Sequence, residues 1–265
     1  PPEKPLPDEL LSIERLEERA KALAARLSVE PTPRRDARDL FPRFDDNARV
    51  LREAYLAMAE DVHRGEFVSA AAEWLLDNYH LVASEIRDVR QNLPRDYYRE
   101  LPKLATREQK GDARVYVLAV ELVRHSDSRL DRQQLVRFLN SYQTVAPLTI
   151  GELWAWPSML KLALLENLRR LAEEGTAARG ARRAADDYVA QIDAAGHGRP
   201  PRLPPEIHPA FVVQLLQRAR EYGPRLAAVR AAVDAHLESL QLAAEEAIRG
   251  EHQRQEDSAT RGGHH

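Results

Sequence analysis

Apolar residues in this chain recur three and four positions apart, segment after segment, and almost never alternate with polar residues over a strand-length window. That period places side chains on one face of a helix, whereas a half-buried strand needs a period of two. Leu10, Ile13, Leu16, Ala20, Leu23 and Leu27 follow it, as do Ala72, Leu75, Leu76, Tyr79, Val82, Ala83, Ile86 and Val89. A third stripe runs through Trp156, Met159, Leu160, Ala163, Leu164, Leu168 and Leu171. Glycine supports the same reading, with only 11 in 265 residues to interrupt helices. The expected fold class is all-α, a bundle of amphipathic helices with no substantial sheet.

Prolines and polar clusters divide the chain. Residues 1–43 form a proline-containing N-terminal helix and linker, with a helix from Asp8 to Leu27 followed by PTPRRDARDLFPRF (31–44). Residues 44–195 form the main helical domain, 196–209 a proline-rich linker, 210–257 a C-terminal helical pair and 258–265 a disordered tail. Within the main domain, Asp45 and Asp46 stand where carboxylates would cap a helix ending at Gly65. Ser69 caps the next helix, which must stop before Pro94. LPRDYYRELPKL (93–104) leaves room for one short turn between prolines. RVYVLAVELV (114–123) is apolar almost all round; periodicity fits a buried strand or a buried helix, and its helical neighbours favour a central helix. Ser128–Asp131 and Thr149–Glu152 each match a capping box. Pro157 fits a helix that opens at about Trp156, and an Ala/Arg/Asp-rich helix covers 176–195. Of the C-terminal pair, AFVVQLLQRAREY is the shorter helix and the stretch after Pro224 the longer.

Composition excludes several classes of function. Lys and Arg number 39 against 42 Asp and Glu, a net charge of −3 without the basic excess of a nucleic-acid binder. Cysteine is absent, which removes disulfide scaffolds and thiolate zinc sites. No apolar run approaches the ~18 residues of a membrane span, and no signal peptide is visible. The chain begins without Met and closes in GGHH, as a fragment does.

Chemistry-bearing motifs are sparse. GxxxxGK[ST], GxGxxG and GxSxG do not occur. The nine histidines are scattered and none builds a metal site; His80 and His125 are expected as packing residues on helices. The acid pairs Asp45/Asp46 and Asp186/Asp187 are the residue type that holds a divalent metal in a nucleotide-sugar enzyme. That chemistry sits at strand ends, so capping accounts for the first pair and a solvated face for the second. Aromatics carry the one positive signal. Trp154 and Trp156 lie two apart and Tyr97 and Tyr98 are adjacent, with Arg99 and Glu152 nearby. Aromatic faces stack on the C–H face of a sugar while charged groups fork onto its hydroxyls. Tyr97, Tyr98, Arg99, Glu152, Trp154 and Trp156 are therefore the candidate carbohydrate-binding residues, with core packing and an interdomain surface as the alternative.

Blocks 44–55, 69–82, 93–104, 114–131 and 141–172, continued by 208–220 and 251–255, resemble the N-terminal region of bacterial cyclic β-1,2-glucan synthases. The resemblance implies a very large inner-membrane parent with a transferase region that uses UDP-glucose and a divalent metal. It also implies a phosphorylase-like region and growth of the glucan on a protein-linked intermediate. The catalytic motifs of those regions lie outside the matched blocks, so no catalytic residue, metal ligand or cofactor is carried over to this chain. The expected role is a non-catalytic helical scaffold at the cytoplasmic face of the inner membrane, soluble as a fragment, docking on the remaining domains of the synthase. A glucan-binding or glucan-acceptor module is the second reading, with β-1,2-glucan as partner and a tyrosine hydroxyl as conceivable acceptor. A stand-alone carbohydrate-active enzyme is the third; it needs two facing carboxylates that the spacing does not offer. After residue 255 the chain turns to EDSATRGGHH, where the family pattern would run on as helix.

Overall fold

The computed structural model describes residues 11–30, 38–66, 68–126, 130–195, 203 and 207–222. Among them are eight α-helices and no sheet, which is the all-α class expected from periodicity. They are α1 (Ile13–Arg26), α2 (Phe41–His63), α3 (Ala70–Asn92), α4 (Arg95–Glu100), α5 (Arg114–His125), α6 (Arg132–Gln143), α7 (Ile150–Ala195) and α8 (Pro209–Tyr222). The proline-rich start, half of the 31–44 linker and most of the 196–209 linker, Ser128, the segment after Pro224 and the tail lie outside the described residues. By packing, the chain divides into two units, Pro1–Thr176 and Ala177–His265, so α7 contributes residues to both.

In the first unit α5 is the innermost element. Ten of its twelve residues are buried, including Val115, Leu118, Leu122 and Val123. An apolar run with no polar face has to be enclosed on all sides, and helices supply that enclosure here. α1 lies along α6, where Arg137 donates to both oxygens of Glu17 at 2.6 and 2.8 Å. α2 lies along α3, with Tyr55 and Tyr79 stacked at 4.2 Å between centroids and Arg90 donating to Asp45 at 2.8 Å. The continuous core runs from Leu16 and Leu23 through Phe44, Leu51, Leu75 and Val89 to Phe138, Met159 and Leu165.

Several boundaries follow the residues chosen from sequence. Ser69 accepts from the Ala72 amide and opens α3. Gly65 closes α2 with φ of 70°, a left-handed conformation that only glycine takes without cost. Others differ. α1 opens at Ile13 rather than Asp8, because Ser12 is its cap, its hydroxyl accepting from the Arg15 amide at 3.4 Å. α2 starts at Phe41, a turn before Asp45 and Asp46, because Phe41 and Phe44 bury their rings and Pro42 fits a first turn that needs no N–H. The carboxylate serving that end is Asp39, which accepts from the Phe41 amide at 3.1 Å. α6 is capped by Asp131 itself, which accepts from the Gln134 amide at 2.7 Å, so the box runs 131–134 rather than 128–131. α7 opens at Ile150, and Pro157 falls inside it. The segment 176–195 continues the same helix instead of forming its own.

In the second unit, α8 and the later turns of α7 pack through Tyr188, Val189, Phe211 and Leu215. Asp186 accepts from Arg218 at 2.7 Å and Gln214 at 2.9 Å. Only Asp187 of that acid pair is on a solvated face.

The position of α5 makes a stability prediction. Leu118 is fully buried and Leu56 is 53% exposed. Leu118→Ala is expected to cost about 2–5 kcal/mol. Leu56→Ala should stay within about 0.5 kcal/mol. Urea unfolding followed by circular dichroism measures both.

Candidate functional site

The residues with chemical potential gather where α7 begins. Thr149 caps the helix: its hydroxyl oxygen accepts from the Glu152 amide at 3.2 Å, and Glu152 accepts from the Thr149 amide at 2.9 Å. Glu152 has no exposed surface at all. A carboxylate so deep needs a cation, and α5 provides one in its first residue. Arg114 donates from Nε and Nη2 to the two Glu152 oxygens at 2.8 and 2.6 Å. Nη2 also donates to the Pro147 carbonyl at 3.0 Å, and the guanidinium lies 6.0 Å from the Tyr142 ring centroid. Burial opposes the Arg114 charge, but the hydrogen bonds and charge of Glu152 outweigh it and raise its pKa. One bidentate pair thus fastens the start of α5, the end of α6, the 144–149 turn and the first turn of α7.

This arrangement separates the six carbohydrate candidates. Glu152 is consumed by the Arg114 pair. Tyr98 is 2% exposed and Trp156 7%, both in the core. Tyr97 is half-buried, and its hydroxyl donates to the Gly151 carbonyl at 2.5 Å. Arg99 is exposed and donates to Asp96 at 3.2 Å. Trp154 is 79% exposed, with Ile150 at 75% beside it on the same helix end. Tyr97, Gly151 and Trp154 are brought together at the start of α7; Tyr98 and Trp156 are buried in the core.

A second buried group escaped the sequence reading. Lys103 is 2% exposed. Its ammonium donates to the Tyr98 carbonyl at 2.6 Å and sits 3.5 Å from the Tyr98 ring centroid. Phe41 meets the same ring edge-on at 5.9 Å. Burial pushes the Lys103 pKa down to about 8, against the opposing pull of Asp112 and Asp39. Burial also drives the Tyr98 hydroxyl far above its ordinary value. Backbone bonds lock the segment in place: the Glu30 amide donates to the Lys103 carbonyl, and Arg114 to Pro102.

Two further buried acids, Glu121 and Glu166, are also paired with cations. Glu121 is held by Arg19 and lies 3.4 Å from the His125 Nε2, so His125 is the packing residue expected. Glu166 accepts from the Tyr116 hydroxyl and pairs with Arg43. His80, by contrast, is on the exposed face of α3. Among the described residues no three of His, Asp and Glu converge as metal ligands would, and no helix is long and apolar enough to cross a membrane. The signal for Arg114, Glu121 and Glu166 was present in the sequence: each is a charge at a position where its helix stripe calls for an apolar residue.

The fold and this helix end define an α-helical module braced by buried ion pairs, with an apolar surface at the start of its longest helix. The chain is related to cyclic β-(1,2)-glucan synthases: it is 37% identical over 221 residues to cyclic β-(1,2)-glucan synthase NdvB of Rhizobium meliloti (strain 1021). That match takes in 80% of this chain and 8% of the relative, so the chain spans a small part of the length of that protein. No family model matches the chain.

Two outcomes test the buried groups. Glu152→Leu leaves Arg114 buried and unpaired and should cost about 3–5 kcal/mol, while Arg114→Met with Glu152→Leu should recover part of that loss. Lys103 makes stability depend on pH. Its folded pKa is below that of an unfolded lysine, so above pH 8 the unfolded chain holds more protons and stability rises. The gain should reach about 2 kcal/mol by pH ~9.5. Above pH ~10, unfolded tyrosine ionises while Tyr98 does not, and stability falls. Lys103→Met should abolish the rise, as read from urea midpoints between pH 7 and pH 11.

Proposed function

We propose that this chain is a non-catalytic helical docking module of a protein related to cyclic β-glucan synthases. In this reading the parent transfers glucose from UDP-glucose to a cyclic β-1,2-glucan. UDP-glucose and the divalent metal belong to other regions of that parent, and so does attachment to the inner membrane. The remaining domains are the partners of this chain.

The observation that carries the reading is the apolar surface at the start of α7. Ile150 is 75%, Trp154 79%, Val145 49% and Leu153 38% exposed. Single exposed apolar residues are ordinary, but four within ten positions around one rigid helix end make a patch. Burying what remains exposed would stabilise by up to about 1.5–3 kcal/mol for Ile150 and Trp154 and by less for the other two, which suits docking against another domain. The charged residues beneath the patch support this, since Arg114 and Glu152 hold its scaffold and are closed to substrate.

Trp154 also favours the second reading. Its exposed ring, with Tyr97 one turn away against Gly151 and Arg99 on the neighbouring helix, could stack on a glucan. Tyr98 would be a poor acceptor, because burial disfavours its phenolate.

Ile150→Asp with Trp154→Glu tests whether this patch matters, and a sugar titration separates the two readings. The isolated chain should keep its stability within about 0.5 kcal/mol. The parent protein carrying both changes should lose about tenfold or more of its glucan output, equivalent to ~1.4 kcal/mol of docking. Titrating the isolated wild-type chain with β-1,2-gluco-oligosaccharides should leave its tryptophan fluorescence flat; a saturable change lost in Trp154→Ala would favour the glucan reading instead.

A further inference from the structure

A second surface lies between α3 and the first-unit part of α7. It is an open groove of about 770 Å³, floored by Leu75, Val82, Leu165 and Ala172 and rimmed by Trp74 and Leu171. Lys161 on α7 lies 2.5 Å from both Glu85 and Asp88 on α3 and closes one end. Ala71, Ala72 and Gly175 narrow the side chains to almost nothing at the other end. The two helices are therefore antiparallel, and apolar stripes face each other across the gap. On α7 the stripe is Leu164, Leu168, Leu171 and Gly175; on α3 it is Trp74 and Leu81. Trp74 and Leu81 are each 52% exposed and Leu171 46%, so the groove is presented to its surroundings.

We infer that this groove receives an amphipathic helix of a partner segment, basic along the edge that meets α3. This inference rests on the docking-module reading and adds a partner type to it. Shape argues for a helix. Two helices tied at one end by the Lys161 bridge leave a trough parallel to both, and a third helix fills such a trough with residues at i, i+3 or i+4, and i+7. From Lys161 to Gly175 the trough runs about 21 Å at 1.5 Å per residue, close to four turns. Ala71 carries little side-chain bulk at that end, while the space beside Gly175 is already taken by the Met58 methyl, 3.4 Å from where a Cβ would stand.

Charge argues for the basic edge. Two carboxylates share the single ammonium of Lys161, which leaves negative charge at that end. Asp77 adds to it: this residue is exposed, three positions after Trp74 and four before Leu81, a spacing that puts it on the same face of α3. A partner helix with Lys or Arg beside its apolar stripe meets complementary charge along α3, and an acidic one meets repulsion.

The test uses the full 265-residue chain carrying Trp154→Phe, so that the exposed reporter is Trp74. Two synthetic amphipathic peptides of about 18 residues share one leucine stripe and differ in flanking Lys or Glu. The Lys peptide is expected to bind at least about tenfold more tightly than the Glu peptide and to shift Trp74 emission to the blue. Leu81→Asp with Leu171→Asp should abolish binding without changing the far-ultraviolet spectrum, and Asp77→Lys should narrow the preference. Absence of binding, equal binding of both peptides, or binding that survives the leucine changes would overturn the inference. So would concentration-dependent dimerisation removed by those same changes, which would make a second copy the occupant. The signal comes from Trp74, and the reporter chain keeps Ile150 and an aromatic ring at position 154, so failure here leaves the docking reading to be judged by its own variants.

Discussion

The bidentate contact between Arg114 and Glu152 is the constraint on which the rest of the first unit depends. Neither charge could be buried alone, since an unpaired ion in a protein interior costs several kcal/mol. Together they satisfy each other, the Pro147 carbonyl and the Thr149 amide, and so join three helices and a turn at one point. Apolar packing could stabilise the same helices as well or better. What the pair adds is direction: the guanidinium fork and the carboxylate fit in one orientation, and that orientation sets where α7 begins. The same device recurs at Glu121 with Arg19 and at Glu166 with Arg43, in each case joining α5 or α7 to an outer helix.

Fixing the first turn of α7 decides which aromatic rings are seen from outside. Side chains two positions apart on a helix point roughly 200° apart. With Trp156 directed into the core, Trp154 must project outwards, and Ile150 lies one turn before it on the same side. The brace and the exposed patch are therefore two faces of one element. Glu152 is locked against Arg114 on the inner side of this helix end, and the surface presented at Ile150 and Trp154 is apolar.

Helix periodicity made most of the architecture legible before any coordinates. α3, α4, α5 and α8 lie where their apolar stripes, Ser69, Pro94 and Pro102 put them. The start of α2 was not legible because Pro42 reads as a breaker, while two buried phenylalanines beside it turn it into a first-turn residue. Pro157 misled in the same way: the Thr149–Glu152 box was seen, yet the proline suggested a later start. The candidate site was half legible. The Trp154/Trp156 pair drew attention to this helix end, but sequence could not say which ring is buried, because that depends on the phase of α7 against Arg114. Lys103 was hidden for a different reason. Its burial comes from non-local backbone bonds to residues near Glu30 and Asp112, which no local pattern records.

The central claim is that the start of α7 is a contact surface for the rest of a synthase-like protein. A photo-crosslinking amino acid placed at position 154 of the parent protein tests it most directly. The account predicts a crosslink to another segment of the same polypeptide, identifiable by mass spectrometry, and its loss when Ile150 is replaced by Asp. Crosslinking to glucan alone, or a side chain at 154 that reacts only with solvent, would contradict it.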